Sequence, residues 1–178
     1  MKNYWVAIII VILDQITKYI VKETMILHDS IPLWDTTIQL TYLENPGMAF
    51  GIRFFEDHPF WGRWFFSIVS IVASGALIAY IHSMRHEKWP YRFSLSLILG
   101  GAVGNLIDRV MFGRVVDFMD VDIPDMLGMQ RWPVFNVADS AVVLGMIIMT
   151  IFVLTHKPAS NTVNETSGTD TPATGGIN

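Results

Sequence analysis

Apolar residues fall into four long runs separated by polar connections. Tyr4 to about Met25 is apolar apart from Asp14, Gln15, Lys18, Lys22 and Glu23. Trp64 to Ile81 carries no charge, Phe93 to Phe112 holds Asn105, Asp108 and Arg109, and Val134 to Thr155 contains Asp139 as its single charge. The hydrocarbon core of a bilayer is about 30 Å thick, so roughly 20 apolar residues at about 1.5 Å each cross it as a helix. Tyr4, Trp5, Trp61, Trp64, Tyr80, Trp89, Tyr91 and Trp132 lie near the run ends, where amphipathic rings meet the headgroups. Four transmembrane helices are predicted. Asp14 and Lys18 stand where a cleavage site would follow an export signal, so the first run reads as a span and not as a removed leader. Between the first two runs, Thr36 to Leu43 alternates, with Ile38, Leu40 and Tyr42 on one face. That is the period of a half-exposed strand. Asn45-Pro46-Gly47 reads as a turn, with room for a second strand over Met48 to Phe54. The fold class is thus an α-helical integral membrane protein: four transmembrane helices with a small extracytoplasmic β-sheet inserted between helices 1 and 2.

Composition agrees. Only 16% of the 178 residues are charged and 52% are hydrophobic, against about 25% charged in soluble domains. A net charge of −4 argues against a nucleic-acid partner, which calls for a basic patch. The absence of cysteine excludes disulfides, thiolate metal sites and a cysteine nucleophile. Arg85, Lys88 and Arg92 between the second and third runs mark that side as cytoplasmic, which places both termini there as well. The other two connections are acidic and extracytoplasmic, with Asp29, Asp35, Glu44, Glu56 and Asp57 in one and Asp117, Asp120, Asp122 and Asp125 in the other. Residues 1–156 read as one four-helix domain, with the β insertion at about 27–60. Residues 157–178, rich in Thr, Gly, Ser and Asn, read as a disordered cytoplasmic tail.

Ionisable groups in a bilayer cost at least about 2.5 kcal/mol each at its centre, so those that occur need a reason. Three clusters stand out. In Asp14-Gln15-Ile16-Thr17-Lys18, acid and base are four apart in the favourable order, as a structural ion pair that snorkels to the interface. In Gly104-Asn105-Leu106-Ile107-Asp108-Arg109, the three polar residues recur at helical spacing; an Asp108–Arg109 pair supporting the helix end is the simplest role, and Asn105 suits a helix contact or a substrate contact equally. In Phe135-Asn136-Val137-Ala138-Asp139-Ser140, Asp139 has no cation nearby in sequence. Pro133 suggests that its helix begins early and that Asp139 lies inside it, which favours a functional role over a helix-end carboxylate. Among the acids of the third connection, Asp117 lies between apolar Val115, Val116 and Phe118 and is the one held in place, while Asp120, Asp122 and Asp125 read as solvated charges.

No His-Glu-x-x-His, Gly-x-Ser-x-Gly or phosphate-cradling loop is present, and the histidines lie at segment ends or in loops. What remains is carboxylate chemistry. Two neighbouring carboxyls cannot both ionise easily, so one keeps a proton while the other acts as base on water. The polar residues alone leave three readings open: such a hydrolase, a proton-coupled carrier built on intramembrane acids, or a structural membrane subunit.

Five motifs in order narrow the choice: Asp14-Gln15-Ile16-Thr17-Lys18, Asn45-Pro46-Gly47-Met48-Ala49-Phe50-Gly51, Gly104-Asn105-Leu106-Ile107-Asp108-Arg109, Val115-Val116-Asp117-Phe118 and Phe135-Asn136-Val137-Ala138-Asp139-Ser140. Over roughly residues 4 to 155 the chain resembles the bacterial lipoprotein signal peptidase family, signal peptidase II. The resemblance implies an aspartic endopeptidase of the bacterial inner or plasma membrane, working without cofactor or metal, with its site near the extracytoplasmic face. Its partners would be membrane lipids and prolipoproteins carrying diacylglyceryl on a lipobox cysteine, cut just before that cysteine. It also implies that Asp117 and Asp139 are catalytic, that Asp14, Lys18, Asn45, Asn105, Asp108, Arg109 and Asn136 bind substrate or support the site, and that the cyclic peptide globomycin fits between the two acids. A monomer is expected. Pro46 departs from the family, where a polar residue is more usual.

Overall fold

The computed structural model describes residues 4–46, 48–49, 52–53, 58–83, 88–122 and 131–155. The expected tail, Arg85, Glu56, Asp57 and Asp125 lie outside them. Four helices form: α1 (Tyr4–Thr24), α2 (Pro59–Ser83), α3 (Trp89–Phe112) and α4 (Val137–Thr155). All four have a stretch apolar enough to cross a membrane. Their outward faces carry large apolar side chains, including Ile8, Ile12, Trp64, Ile68, Val72, Ile147 and Leu154. An aqueous surface would not tolerate that density, whereas lipid has no preference against it.

Helix α3 is central and packs on the other three helices. Small residues let it approach closely. A Cβ on Gly100 would lie 2.8 Å from Ile10 Cβ of α1, one on Gly104 would lie 2.6 Å from Asp14 Oδ2, and one on Gly101 would overlap the Ala138 carbonyl oxygen of α4. Gly145 returns the fit from the α4 side, 2.7 Å from Ser94 O. Without a hydrophobic drive between helices in lipid, such backbone proximity carries much of the association.

The sheet is larger than a hairpin between α1 and α2. Strands β1 (Ser30–Trp34) and β2 (Ile38–Asn45) are joined by β5 (Val115–Val121), in the order β1-β2-β5, antiparallel throughout. Leu43 lies opposite Asp117 and Asn45 opposite Val115. A short hairpin, β3 (Met48–Ala49) with β4 (Ile52–Arg53), follows the Asn45-Pro46 turn, in place of the single strand expected there. Tyr42, Val116 and Phe118 pack on Val21 and fix the sheet to α1.

Two chain reversals aim the sheet at the bundle. Gly113 ends α3 in the left-handed conformation, φ 74°, with its N–H donated to Arg109 O. This is a turn that only glycine makes without strain, and β5 starts two residues later. Helix α4 begins at Val137, later than Pro133 had suggested. Asn136 Oδ1 accepts from Asp139 N at 2.9 Å, and Asp139 Oδ2 accepts from Asn136 N at 3.2 Å. That reciprocal pair is a capping box, so Asp139 lies in the first turn of α4 and not inside the helix. The residues before it are extended, and Phe135 bridges to Met119 of β5.

Candidate active site

Helices α1 and α3 end, and α4 begins, at the same end of the bundle as the sheet. All three sequence clusters meet there, together with Asn45 and Asp117. The centre is one residue, Asn136, which is fully buried. Its Nδ2 donates to Asp117 Oδ1 at 2.7 Å, and also to Val116 O and to Asn105 Oδ1. Its backbone N–H donates to Asp139 Oδ2. The other oxygens of the two acids are engaged as well: Asn45 Nδ2 donates to Asp117 Oδ2 at 3.1 Å, and Asn105 Nδ2 to Asp139 Oδ1 at 2.8 Å. Each of the four carboxyl oxygens therefore accepts an N–H from a described residue. Neither acid has an ion pair among the described residues. Burial, then the charge of Asp139, pushes the Asp117 carboxyl up to about 7, against weaker downward effects of Asn45, Asn136 and Lys18.

Behind this layer lies a buried ion cluster. Lys18 Nζ pairs with Asp14 Oδ2 at 2.8 Å and with Asp108 Oδ2 at 3.1 Å, and it donates to Asn105 Oδ1 at 2.9 Å. Asp14 Oδ1 accepts from Ala138 N, and Asp108 Oδ2 from Val116 N. The cluster thus ties α1 and α3 to the first turn of α4 and to β5. The expectation of a snorkelling Asp14–Lys18 pair is corrected: Asp14 is 0% and Lys18 2% exposed. The pair lies more than a turn inside α1, and its charges are met by protein groups instead of water. The expected Asp108–Arg109 pair is also corrected. Successive helical residues point about 100° apart, so Asp108 faces Lys18 while Arg109 Nη1 reaches Ser70 of α2 at 3.3 Å. Arg109 makes no ion pair among the described residues, and its Nε is buried without a partner there.

Asp120 is a further correction. It is 6% exposed, bound by Thr41 Oγ1 at 2.7 Å and by Arg131 Nε at 3.0 Å. Its face of the sheet is the one away from Asp117, and its role is to hold residue 131 to the sheet. Two contributors went unassigned in the sequence. Gln15 Nε2 donates to Asp108 Oδ1 at 3.0 Å and to Asp14 Oδ2; an amide within an apolar run was the signal. Ser70 belongs to Ser67, Ser70 and Ser74, at a spacing that puts them near one face of α2.

These features define a multi-pass membrane protein with two carboxyls held by amides around one asparagine at one end of its helix bundle. A profile of the family described as Signal peptidase (SPase) II matches residues 6–155. A protein named lipoprotein signal peptidase from Desulforapulum autotrophicum is 42% identical over 153 residues, 85% of this chain and 91% of that one. Another of the same name from Syntrophus aciditrophicus is 39% identical over 144 residues, 80% and 86% of the two chains. Among solved structures, a bacterial membrane enzyme determined at 2.3 Å superposes with a TM-score of 0.73 at 35% identity, covering 86% of this chain and 87% of that one. The chain belongs to the signal peptidase II family and is a membrane peptidase.

Proposed function

We propose that the chain is an aspartic endopeptidase that removes signal peptides from diacylglyceryl-modified bacterial prolipoproteins, cutting just before the lipidated cysteine. The observation that carries the mechanism is the shared asparagine: Asn136 donates to Asp117 through its side chain and to Asp139 through its backbone. It therefore holds the two carboxyls on either side of one residue. With Asp117 keeping its proton near neutral pH, Asp139 is left as the base that activates water. Asp117 then hydrogen-bonds the scissile carbonyl, and the proton taken from water passes to the leaving amine. No covalent intermediate and no metal are invoked. Asp14, Lys18 and Asp108 fix α1, α3 and β5 around the dyad. Asn45, Asn105 and Asn136 aim its oxygens, and Arg109 faces the space between α2 and α3 as a donor for a substrate carbonyl. The site lies at the end of the bundle opposite the α2–α3 connection. With that connection cytoplasmic, as its basic residues suggest, cleavage occurs near the extracytoplasmic face, where water is available and the substrate's acyl chains stay in the bilayer.

The test is cleavage of a lipid-modified precursor by purified protein in the presence of a chelator. Asp139→Asn and Asp117→Asn should each lower kcat by at least about 10²–10⁴-fold, the scale of lost acid–base catalysis. Near-parental kcat in either variant, or activity that requires added metal, overturns the proposal.

A further inference from the structure

We propose that Lys18 is a positioning residue for cleavage: it fixes which end of the Asn105 amide faces Asp139, and through Asn105 it fixes the Asn136 amide against Asp117. The inference rests on the dyad assigned above.

An asparagine side chain has a donor end and an acceptor end of nearly the same shape, and packing alone distinguishes them poorly. Chemistry distinguishes them here. Lysine offers three donors and no acceptor. All three are used, on Asp14 Oδ2, Asp108 Oδ2 and Asn105 Oδ1. Asn105 must therefore present its carbonyl oxygen to Lys18, which turns its Nδ2 toward Asp139 Oδ1 at 2.8 Å. The same carbonyl oxygen accepts from Asn136 Nδ2. That fixes the second amide in turn, so its Nδ2 reaches Asp117 Oδ1 while its Oδ1 caps the Asp139 N–H. A reversed Asn105 would set N–H groups against the ammonium and against Asn136 Nδ2, and a carbonyl oxygen against Asp139. One buried cation on α1 thus orders a relay of two amides that ends on one oxygen of each acid. Gln15 supports it by taking Asp108 Oδ1, which leaves Asp108 Oδ2 for Lys18 and the Val116 N–H.

A merely structural ion pair and an orienting donor differ in one respect. Lys18→Met and Lys18→Gln both remove the charge, but glutamine keeps an N–H donor for Asn105 Oδ1. The experiment measures kcat and KM for a lipid-modified precursor with both variants, beside Asp139→Asn, with thermal unfolding in the same detergent. Expected are a kcat about 10–100-fold down in Lys18→Met, as for a reacting group misplaced by an ångström, with KM within about twofold of the parent, and recovery of at least about fivefold of that loss in Lys18→Gln. Equal kcat in the methionine and glutamine variants, or parental kcat in both, overturns the proposal while an inactive Asp139→Asn leaves the dyad standing. An active Asp139→Asn overturns the dyad itself. Should either Lys18 variant fail to fold, Asn105→Asp decides. It keeps the acceptor Lys18 needs but sets a carboxyl where Asp139 has an amide donor, so kcat falls and Tm falls with it; kcat within about threefold of the parent overturns the proposal.

Discussion

Replacing Gly101 by alanine adds one methyl group at the closest approach of α3 to α4. The new Cβ would overlap the Ala138 carbonyl oxygen and lie 2.7 Å from Val142 Cγ2. Both obstacles are fixed, one by backbone and the other by a β-branched side chain in a helix. Relief therefore requires the helices to part by about 1 Å, with a cost of about 1–3 kcal/mol for overpacking. Removing a helical glycine returns about 0.5–1 kcal/mol. A net loss of about 1–2 kcal/mol should lower Tm by several degrees, at about 2–4 °C per kcal/mol for a chain of this size. Activity should fall further than stability. Asn105 is one turn beyond Gly101, and Asp139 is the neighbour of Ala138, so the same displacement stretches the 2.8 Å Asn105–Asp139 bond beyond hydrogen-bond range. A shift of that size can cost about 10²-fold in rate. The assays are thermal unfolding in detergent and initial cleavage rates. Gly75→Ala on α2, where a Cβ meets nothing within 4 Å, is the control and should keep or raise Tm at parental rate. If Gly101→Ala matches Gly75→Ala in both assays, the claim that helix separation sets the dyad geometry is wrong.

Two further outcomes follow from the same contacts. Asp14→Asn leaves Lys18 with one acid and turns an amide N–H₂ toward either Lys18 or the Ala138 N–H; breaking a buried pair costs about 3–5 kcal/mol, so the variant should melt well below the parent, and an unchanged Tm would contradict the buried pairing. Asp117 is raised from an ordinary carboxylate value to about 7 in the folded state, so between about pH 4 and 7 the folded chain binds more protons than the unfolded one and stability falls as pH rises; comparing Tm at pH 5 and 7.5, Asp117→Asn should flatten that slope, and an identical slope would show that another group carries it.

The four spans were legible because a bilayer demands long apolar runs whatever the tertiary packing. The sheet was only partly so. Strand β2 alternates and reads as a strand, but β1 is exposed along its whole length, so nothing forces a period of two. Strand β5 is buried over most of its length and gives no alternation either. Its pairing with β2 joins residues 70 or more positions apart, and no local pattern records it. Most residues of the candidate site were found because each is polar where the solvent is lipid; Asp117 was found by its apolar neighbours in a connection, and Asn45 by the family's motif. Their partners were not, because two neighbouring helical residues such as Asp108 and Arg109 diverge by about 100°, and only the packing of α1 and α2 on α3 decides which of them meets Lys18. The Asn136-to-Asp139 spacing held a legible signal in its asparagine N-cap with an acid three residues on. It competed with Pro133, and the cap determined the helix start.

On the mechanism proposed, the balance of charge in the cluster is what keeps a proton on the Asp117–Asp139 pair. Among the described residues, Lys18 is the only cation that pairs with an acid in the layer behind it, and it is already shared between Asp14 and Asp108. Gln15 and the N–H groups of Ala138 and Val116 complete those two carboxylates, and the front layer feels Lys18 and Arg109 only through space, with no ion pair among the described residues. Arg109 turns to Ser70. Among the described residues, Asp117 and Asp139 are hydrogen-bonded by neutral amide donors, in a partly buried site where ionising both would cost more than amides return. The asparagines orient the acids without neutralising them. A lysine in place of Asn45 would set a positive charge beside Asp117 Oδ2, favour the ionised acid and, on the mechanism proposed, remove the proton that hydrolysis needs. A shared cation behind and uncharged donors in front are what the proposed acid–base chemistry requires of an apolar helix bundle.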